Sequence, residues 1–383
     1  MENIIVHYGE IALKKGNREY YERVLCENIK KSLLKEAQTV KRLYGRLLIV
    51  LNSQADQEKV AEKLRKIPGI INFSFAEKTS LDLEKIKDIV LKLAKAQDKK
   101  VFRIISKNAN KNEFKYTSLE LNQIIGSHVV ENLGFKVDLE KPDVNFNIEV
   151  VNQNAYIYLE KLQSMGGLPT STSGKLVSLI SGGIDSPVAS IRMIKRGCQL
   201  TFVHFYNFTT AKDAVKEKVE LLVKKIAEYQ GQAKLFLIPF KDLQHEIIKK
   251  VPGEYRMIVY RRYMLRIAEE ILKKEGCKAF VTGDSLAQVA SQTLDNISVI
   301  YSATSYPVLA PLMGEDKVDV IRESKKLGTY DISIMPYSDC CSLFVAEHPA
   351  TKSDLKTIES FEAKIEDEKL IEDALKKAEL KNF

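Results

Sequence analysis

The chain has 383 residues, 45% apolar and 29% charged. That make-up fits a soluble globular protein of two or three domains and excludes collagen-like, low-complexity and long disordered architectures. No stretch approaches 18 uninterrupted apolar residues, no basic-then-apolar leader opens the chain, and five cysteines are too few for a disulfide scaffold, so neither a membrane span nor a secretory signal is expected and a reducing cytoplasm is the expected setting. The net charge of +8 is uneven: residues 1–115 carry 25 Lys and Arg against 15 Asp and Glu, residues 116–172 carry 3 against 7, and the remainder is close to balanced. A positive N-terminal third suits a polyanion, or else reflects solvated helix faces.

In chain order, residues 4–8 read as an apolar strand and residues 19–37 as an amphipathic helix, with Val24, Leu25, Ile29, Leu33 and Leu34 near a 3.6 period. Residues 43–51 read as a second strand. Residues 57–66 read as a short helix ended by Pro68-Gly69, and residues 70–77 as a third strand. This βαβαβ order predicts a ferredoxin-like α+β unit over 1–75. A second α+β unit follows over 76–165, with helices at 83–96 and 118–133 and a strand at 101–106. Its last two strands, 144–151 and 155–162, are joined by an Asn-Gln-Asn turn. Residues 166–174, rich in Gly, Ser and Thr, read as a linker. Residues 175–383 alternate strand and helix. Strands are predicted at 176–180, 200–205, 235–239, 279–282 and 299–301, helices at 187–196, 212–229 and 256–274, and one charged amphipathic helix over the last 30 residues. Apolar strands separated by amphipathic helices indicate a doubly wound parallel sheet.

The sharpest motif is Ser181-Gly182-Gly183-Ile184-Asp185-Ser186-Pro187, directly after the first strand of that sheet. Two glycines let backbone amides approach an anion. Ser181 and Ser186 offer hydroxyls, and the helix beginning near Pro187 adds the positive end of its dipole. Asp185 repels phosphate by itself but makes sense beside a Mg²⁺ ion that bridges to phosphate oxygens. No Walker-type lysine motif is present. Of the five cysteines, Cys26, Cys198 and Cys277 sit in or beside apolar patterns and read as inert. Cys340 and Cys341 stand together in a polar segment, with no C-x-x-C spacing to suggest zinc.

The Ser-Gly-Gly-Ile-Asp-Ser-Pro string resembles the PP-loop of ATP pyrophosphatases. Tyr8-Gly-Glu-Ile-Ala-Leu-Lys-Lys-Gly-Asn-Arg18, the Thr282–Thr293 string (Thr-Gly-Asp-Ser-Leu-Ala-Gln-Val-Ala-Ser-Gln-Thr) and Asp339-Cys340-Cys341-Ser342 are similar to the tRNA 4-thiouridine synthetase (tRNA uracil 4-sulfurtransferase) family. The order ferredoxin-like domain, THUMP domain, PP-loop domain agrees. The resemblance covers about residues 1–350. It implies that Leu179, Ile180, Ser181, Gly182, Gly183 and Ser186 hold ATP, with Asp185 on Mg²⁺. It further implies that His204, Phe205, Arg261, Gly283 and Gln292 contact the nucleotide. Taken from the residues alone, His204 and Phe205 are a satisfied strand-end histidine and a core aromatic, and Arg261 is an exposed helix charge.

The resemblance also implies a reaction. The O4 of a tRNA uridine, position 8 in the family, is adenylated with loss of pyrophosphate, and a persulfide sulfur then displaces AMP. One of Cys340 and Cys341, Cys340 by its flanking residues, works on the sulfur. The family also supplies sulfur for the thiazole of thiamine. Longer members carry a C-terminal rhodanese domain with the persulfide cysteine; with only a helix before Phe383, sulfur is expected from a separate carrier, a cysteine desulfurase or sulfide. Lys14, Lys15, Arg18, Arg42, Arg46, Arg103, Lys107, Lys111 and Lys115 are the candidate tRNA contacts, interleaved with Tyr8, Tyr44, Phe114 and Tyr116. A homodimer is expected. Two other readings stay open: a different PP-loop tRNA-modifying enzyme, and a non-catalytic tRNA-binding protein with a relic nucleotide site.

Overall fold

The computed structural model describes residues 1–109, 114–207, 212–336 and 348–383. The chain divides into two compact units, 1–169 and 170–383.

The first unit runs β1 (Asn3–His7), α1 (Arg18–Ser32), β2 (Ala37–Leu43), β3 (Arg46–Leu51), α2 (Gln57–Arg65), β4 (Asn72–Ser80), α3 (Leu83–Lys95), β5 (Val101–Asn108), α4 (Ser118–Leu133), β6 (Lys136–Val137), β7 (Val144–Val151), β8 (Asn154–Tyr158) and β9 (Leu162–Gln163). The strand order is β2-β3-β1-β4-β8-β7-β5-β6, with β9 against β4. The nine-residue β4 serves both halves. Asn72–Ala76 lie antiparallel to β1, and Glu77–Ser80 lie antiparallel to β8. Alternation sorts the side chains. Ile4 and Val6 pack in the core that contains α1 and α2, whereas Ile5 between them joins Leu48, Ala76, Val151, Tyr156 and Tyr158 in a separate core drawn from both halves. A third core joins α3 and α4 to β5, β7 and β8.

Two expectations are corrected here. The helix expected over 19–37 stops at Ser32, and the strand expected over 43–51 begins only at Arg46, because Tyr44-Gly45 turn the chain from β2 into β3 with Leu43 opposite Arg46. Gly45 has φ +73, which a tight two-residue turn needs and other residues resist. The strand β2 escaped detection because Val40 is its one fully buried apolar side chain; as an edge strand it is held by backbone pairing. The strand expected over 155–162 ends at Tyr158, and Leu162 pairs instead with β4.

The second unit continues with β10 (Lys175–Leu179), α5 (Asp185–Lys195), β11 (Gln199–Tyr206), α6 (Lys212–Gln230), β12 (Lys234–Pro239), α7 (Lys241–Lys250), α8 (Arg256–Glu275), β13 (Ala279–Val281), α9 (Leu294–Tyr301), β14 (Val308–Leu309), α10 (Lys317–Leu327), α11 (Tyr330–Ser333), α12 (Leu355–Glu362), α13 (Asp367–Lys376) and β15 (Glu379–Asn382). Its sheet has the order β14-β13-β10-β11-β12-β15, parallel except for β15. The first three strands are laid down in one direction from β10 and the next two in the other. The order therefore reverses between β10 and β13, and ligands of such sheets bind in the crevice at that switch point.

The strand expected over 299–301 is the end of helix α9. Thr293 caps that helix by accepting from the Asn296 amide, and Ile297 and Ile300 bury one face, so the β-branched run lost to a helical period. The single C-terminal helix is two helices and an edge strand. β15 is polar and pairs antiparallel with β12 through its backbone, leaving no apolar alternation to announce it.

Candidate active site

The segment 180–184 joins β10 to α5 and folds on its own hydroxyls. The Ser181 amide donates to Ser186 Oγ (2.9 Å), the two hydroxyls lie 3.1 Å apart, and the Gly183 amide donates to Ser181 Oγ (3.3 Å). On one side the loop meets β11, where the ring Nδ1 of buried His204 donates to the Ile180 carbonyl (2.9 Å). On the other side Gly283 lies against the first turn of α5. A Cβ there would stand 2.6 Å from the Ser186 nitrogen, so only glycine permits this approach.

These segments enclose a cavity of about 290 Å³. Of the sequence-predicted nucleotide residues, Leu179, Ile180, Ser181, Asp185, Ser186, His204, Phe205, Arg261, Gly283 and Gln292 border it, and Gly182 and Gly183 belong to the loop without forming its wall. The ends of β10, β11 and β13 and residues of α5, α8 and α9, spread between Leu179 and Tyr301, thus contribute to one space.

Sequence reasoning missed the group that holds this space together. Asp284 is 4% exposed and accepts from Arg261 Nη2 (2.5 Å), from the Tyr301 hydroxyl (2.7 Å) and from Gln292 Nε2 (3.0 Å). Burial by itself would raise this carboxyl; the Arg261 charge and the three hydrogen bonds hold it below the usual carboxylate range. The same burial and the Asp284 charge push the Tyr301 hydroxyl up. Asp284 stands in the Thr-Gly-Asp-Ser string, which was the available signal. Asp185, at the N-terminus of α5, is met by Lys317 of α10 (2.6 and 2.7 Å) and by Gln288 (3.1 Å). Lys317 lies 132 residues away in sequence and no local pattern marks it.

The donor set bears on Mg²⁺. No cluster of three or more His, Cys, Asp or Glu suits a metal among the described residues. Asp284 is buried and held by three donors, whereas Asp185 is the more open carboxylate beside the loop, and a divalent ion there would take its oxygens in exchange for Lys317 and Gln288. Such an ion must take further oxygens from phosphate and water, as Mg²⁺ at nucleotide sites ordinarily does. The residues fit that arrangement.

Cys340 and Cys341 lie outside the described residues. Cys26, Cys198 and Cys277 are buried, and burial pushes the Cys26 and Cys277 thiols up to about 11, away from thiolate chemistry.

The candidate tRNA contacts divide. Lys15, Lys107 and Lys115 are exposed, and Lys111 lies outside the described residues. The Lys14 ammonium sits 5.2 Å from the Tyr21 ring centre. Arg18 donates to the Tyr8 hydroxyl and to Glu22, Arg42 pairs with Glu19, and Arg103 donates to Asn145 and the Leu139 carbonyl. Arg46 is committed to the buried carboxylate of Glu149, which also accepts from His7 (2.9 Å) and from Tyr158 (2.5 Å). Lys161, not among the candidates, is lowered by burial and by the nearby charge of Lys107.

With this geometry in place, comparison with known proteins is direct. The family model described as Thiamine biosynthesis protein (ThiI) matches residues 171–366, the ThiI ferredoxin-like domain matches 3–74, and the THUMP domain matches 81–160. A probable tRNA sulfurtransferase of Thermoanaerobacter pseudethanolicus is 40% identical over 373 residues, covering 97% of each chain. The chain belongs to the ThiI family of tRNA sulfurtransferases. A Brevibacillus brevis member is 36% identical, over 99% of this chain and 96% of its own. A solved 4-thiouridine synthetase–RNA complex with bound ATP superposes with a TM-score of 0.90 at 36% identity, covering 100% of this chain and 99% of the other. The Pyrococcus horikoshii protein PH1313, at 23% identity, 86% coverage of this chain and a TM-score of 0.68, shares the fold. Both N-terminal domain matches of this sulfurtransferase fall inside the first unit and meet at β4. No helix among the described residues is long and apolar enough to cross a membrane.

Proposed function

We propose that this enzyme uses ATP to convert a uridine of tRNA, position 8 by family resemblance, to 4-thiouridine. The observation that carries the reading is the convergence of ten nucleotide candidates from separate elements on one cavity at the switch point of a parallel sheet. The solved relative described as an RNA complex with bound ATP supports both substrates.

In this reading the loop amides and the N-terminus of α5 receive the phosphates, and Arg261 and Gln292, held by Asp284, grip the rest of the nucleotide. Asp185 is the residue that would hold Mg²⁺, and the ion would supply positive charge to offset that of the pyrophosphate. The uridine, out of its stack, attacks the α-phosphorus through O4, and the bond to the bridging oxygen breaks as pyrophosphate leaves.

Cys340 accepts the outer sulfur of a persulfide donor by thiol–persulfide exchange, releasing the donor as a thiol. The Cys340 persulfide attacks C4, and AMP departs with the C4–O electron pair. An incoming thiolate then opens the S–S bond. The outer sulfur stays on C4, and Cys340 is left in a disulfide with that thiol, which a further thiol reduces. The match to a thiamine-biosynthesis family model supports delivery of the same persulfide sulfur to thiazole formation. The exposed lysines of the first unit, Lys15, Lys107 and Lys115, receive the tRNA backbone.

The test is Asp185→Ala with tRNA, ATP, Mg²⁺ and a persulfide source. Pyrophosphate release should fall at least about a hundredfold, and 4-thiouridine, read by nucleoside mass spectrometry, should vanish with it, while tRNA affinity stays unchanged. Thiolation that survives the substitution overturns the assignment of the loop.

A further inference from the structure

The chain between β13 and α9 meets the N-terminus of α5 twice. Gly283 lies against Ser186, and five residues later the Gln288 side-chain amide donates to Asp185 Oδ2 (3.1 Å). Between these contacts the chain turns at Ala287, whose φ of +59 is uncommon for a residue with a Cβ. Such a conformation persists where the surroundings fix it. Here the Ala287 amide donates to the Gln292 carbonyl (2.9 Å) and the Leu286 amide to the Met313 carbonyl (3.1 Å), and fully buried Asn296 donates to the Ala290 carbonyl (2.7 Å). Gln288 is therefore an exposed side chain on a segment tied down on both sides. It does not border the nucleotide cavity.

Among the described residues, Asp185 meets Lys317 and Gln288. The Lys317 ammonium sits 2.6 and 2.7 Å from the two carboxylate oxygens, so the place opposite Asp185 already suits a cation. With 40% of its side chain exposed, Lys317 can withdraw into solvent. Gln288 carries a donor and an acceptor on one planar group, and rotation about its last torsion exchanges them. Facing a carboxylate, it must offer an N–H. Facing a cation at the same place, it can offer the oxygen. Mg²⁺ takes oxygen ligands and an ammonium has no lone pair to give, so of the two partners only Gln288 can serve an ion that arrives at Asp185.

We propose that Gln288 supplies, through Oε1, a second protein oxygen to a Mg²⁺ site centred on Asp185. The inference rests on the reading of Asp185 as the residue that would hold the ion. One carboxylate, one amide oxygen, phosphate oxygens and water make a donor set of the kind Mg²⁺ takes at nucleotide sites. The segment that bears Gln288 also brings Gly283 and Gln292 to the cavity wall. Metal and nucleotide are thus held by one piece of chain, and each should strengthen the binding of the other by the same factor.

The experiment titrates the full chain with α,β-methylene-ATP by calorimetry, in Mg²⁺ and again in EDTA, for wild type, Gln288→Leu and Gln288→Glu. The ratio of the two affinities reads what the ion contributes. Gln288→Leu removes the oxygen and should lower that ratio about tenfold, the scale on which single partners of a metal site act. Its affinity in EDTA should stay at the wild-type value. Gln288→Glu keeps an oxygen in place and should hold the ratio or raise it. Were Gln288 only a brace donating its N–H to Asp185, the glutamate variant would lack that donor, and its ratio would fall as the leucine variant's does. A ratio unmoved by Gln288→Leu, or lowered alike by both variants, overturns the proposal. So does a loss of affinity in EDTA for Gln288→Leu, which would place Gln288 on the nucleotide or the loop itself. A wild type that binds no analogue or shows a ratio near one, or an Asp185→Asn variant that keeps the full ratio, overturns instead the reading of Asp185 on which the proposal rests.

Discussion

Glu149 in the first unit and Asp284 in the second are buried carboxylates, 1% and 4% exposed, and each is held by an arginine, a tyrosine hydroxyl and one further donor. In both, cation and hydrogen bonds offset the cost of removing the charge from water. They differ in where the partners face. His7 and Arg46 come from β1 and β3 and Tyr158 from β8, so Glu149 clasps the two halves that share β4. The partners of Asp284 border an open cavity. One arrangement of charges thus serves as a clasp where its donors are consumed, and as a scaffold where they still face empty space. Burial and a depressed pKa alone do not tell the two apart; the adjoining cavity does.

The comparison predicts its largest effect at the clasp. Removing one partner of a buried ion group costs about 3–5 kcal/mol, so Glu149→Ala should lower the denaturant midpoint of the first unit strongly while ATP binding by the second persists. Loss of ATP binding in step with unfolding would break the contrast. Acid sharpens it. Burial would raise the Glu149 carboxyl, but His7, Arg46 and Tyr158 hold it at about 2. An unfolded glutamate titrates near 4.3. A folded pKa below the unfolded one gives stabilisation that is complete above about pH 5 and is lost as the pH falls toward 2, in all about 3 kcal/mol. The stability gap between wild type and Glu149→Ala should narrow over that window and stay constant above it.

Asp284→Asn should act in the other currency. It keeps the volume and one acceptor but removes the charge that orients Arg261 and competes for Gln292. The dissociation constant for ATP, measured by calorimetry, should rise about tenfold, or about 1.4 kcal/mol, with a smaller change in unfolding. An unaltered affinity would make Asp284 a second clasp.

The same contrast explains what the sequence made legible. The second unit was readable because its strands are buried on both faces and run as apolar blocks, and because Ser181, Gly182, Gly183 and Asp185 stand together in one string. What escaped was held by partners distant in sequence. Lys317 reaches Asp185 from 132 residues away, and β2 and β15 are polar edge strands whose pairing lies in the backbone. Val299-Ile300-Tyr301 carried a strand composition inside a capped helix. In the first unit the total charge was legible but its use was not: Arg46 and Lys107 look alike in a list of basic residues, and only the fold assigns one to Glu149 and the other to solvent.

That last pair gives the smallest predicted effect and the finest test. Lys107 is exposed, and its charge lies close enough to part-buried Lys161 to lower the ammonium there, after burial. Two like charges held together are relieved by an anion. If a tRNA phosphate fills that role, Lys107→Ala removes one ionic contact, and the slope of log affinity against log salt should become shallower by about 0.7–0.9. The loss of affinity near physiological salt should be below about 1 kcal/mol. Arg46→Ala should leave that slope untouched, because its guanidinium is already matched by Glu149, and should register in unfolding instead. A Lys107 variant whose salt slope equals that of wild type would return this lysine to idle surface. It would also leave the excess charge of residues 1–115 to Lys15, Lys115 and their neighbours to explain.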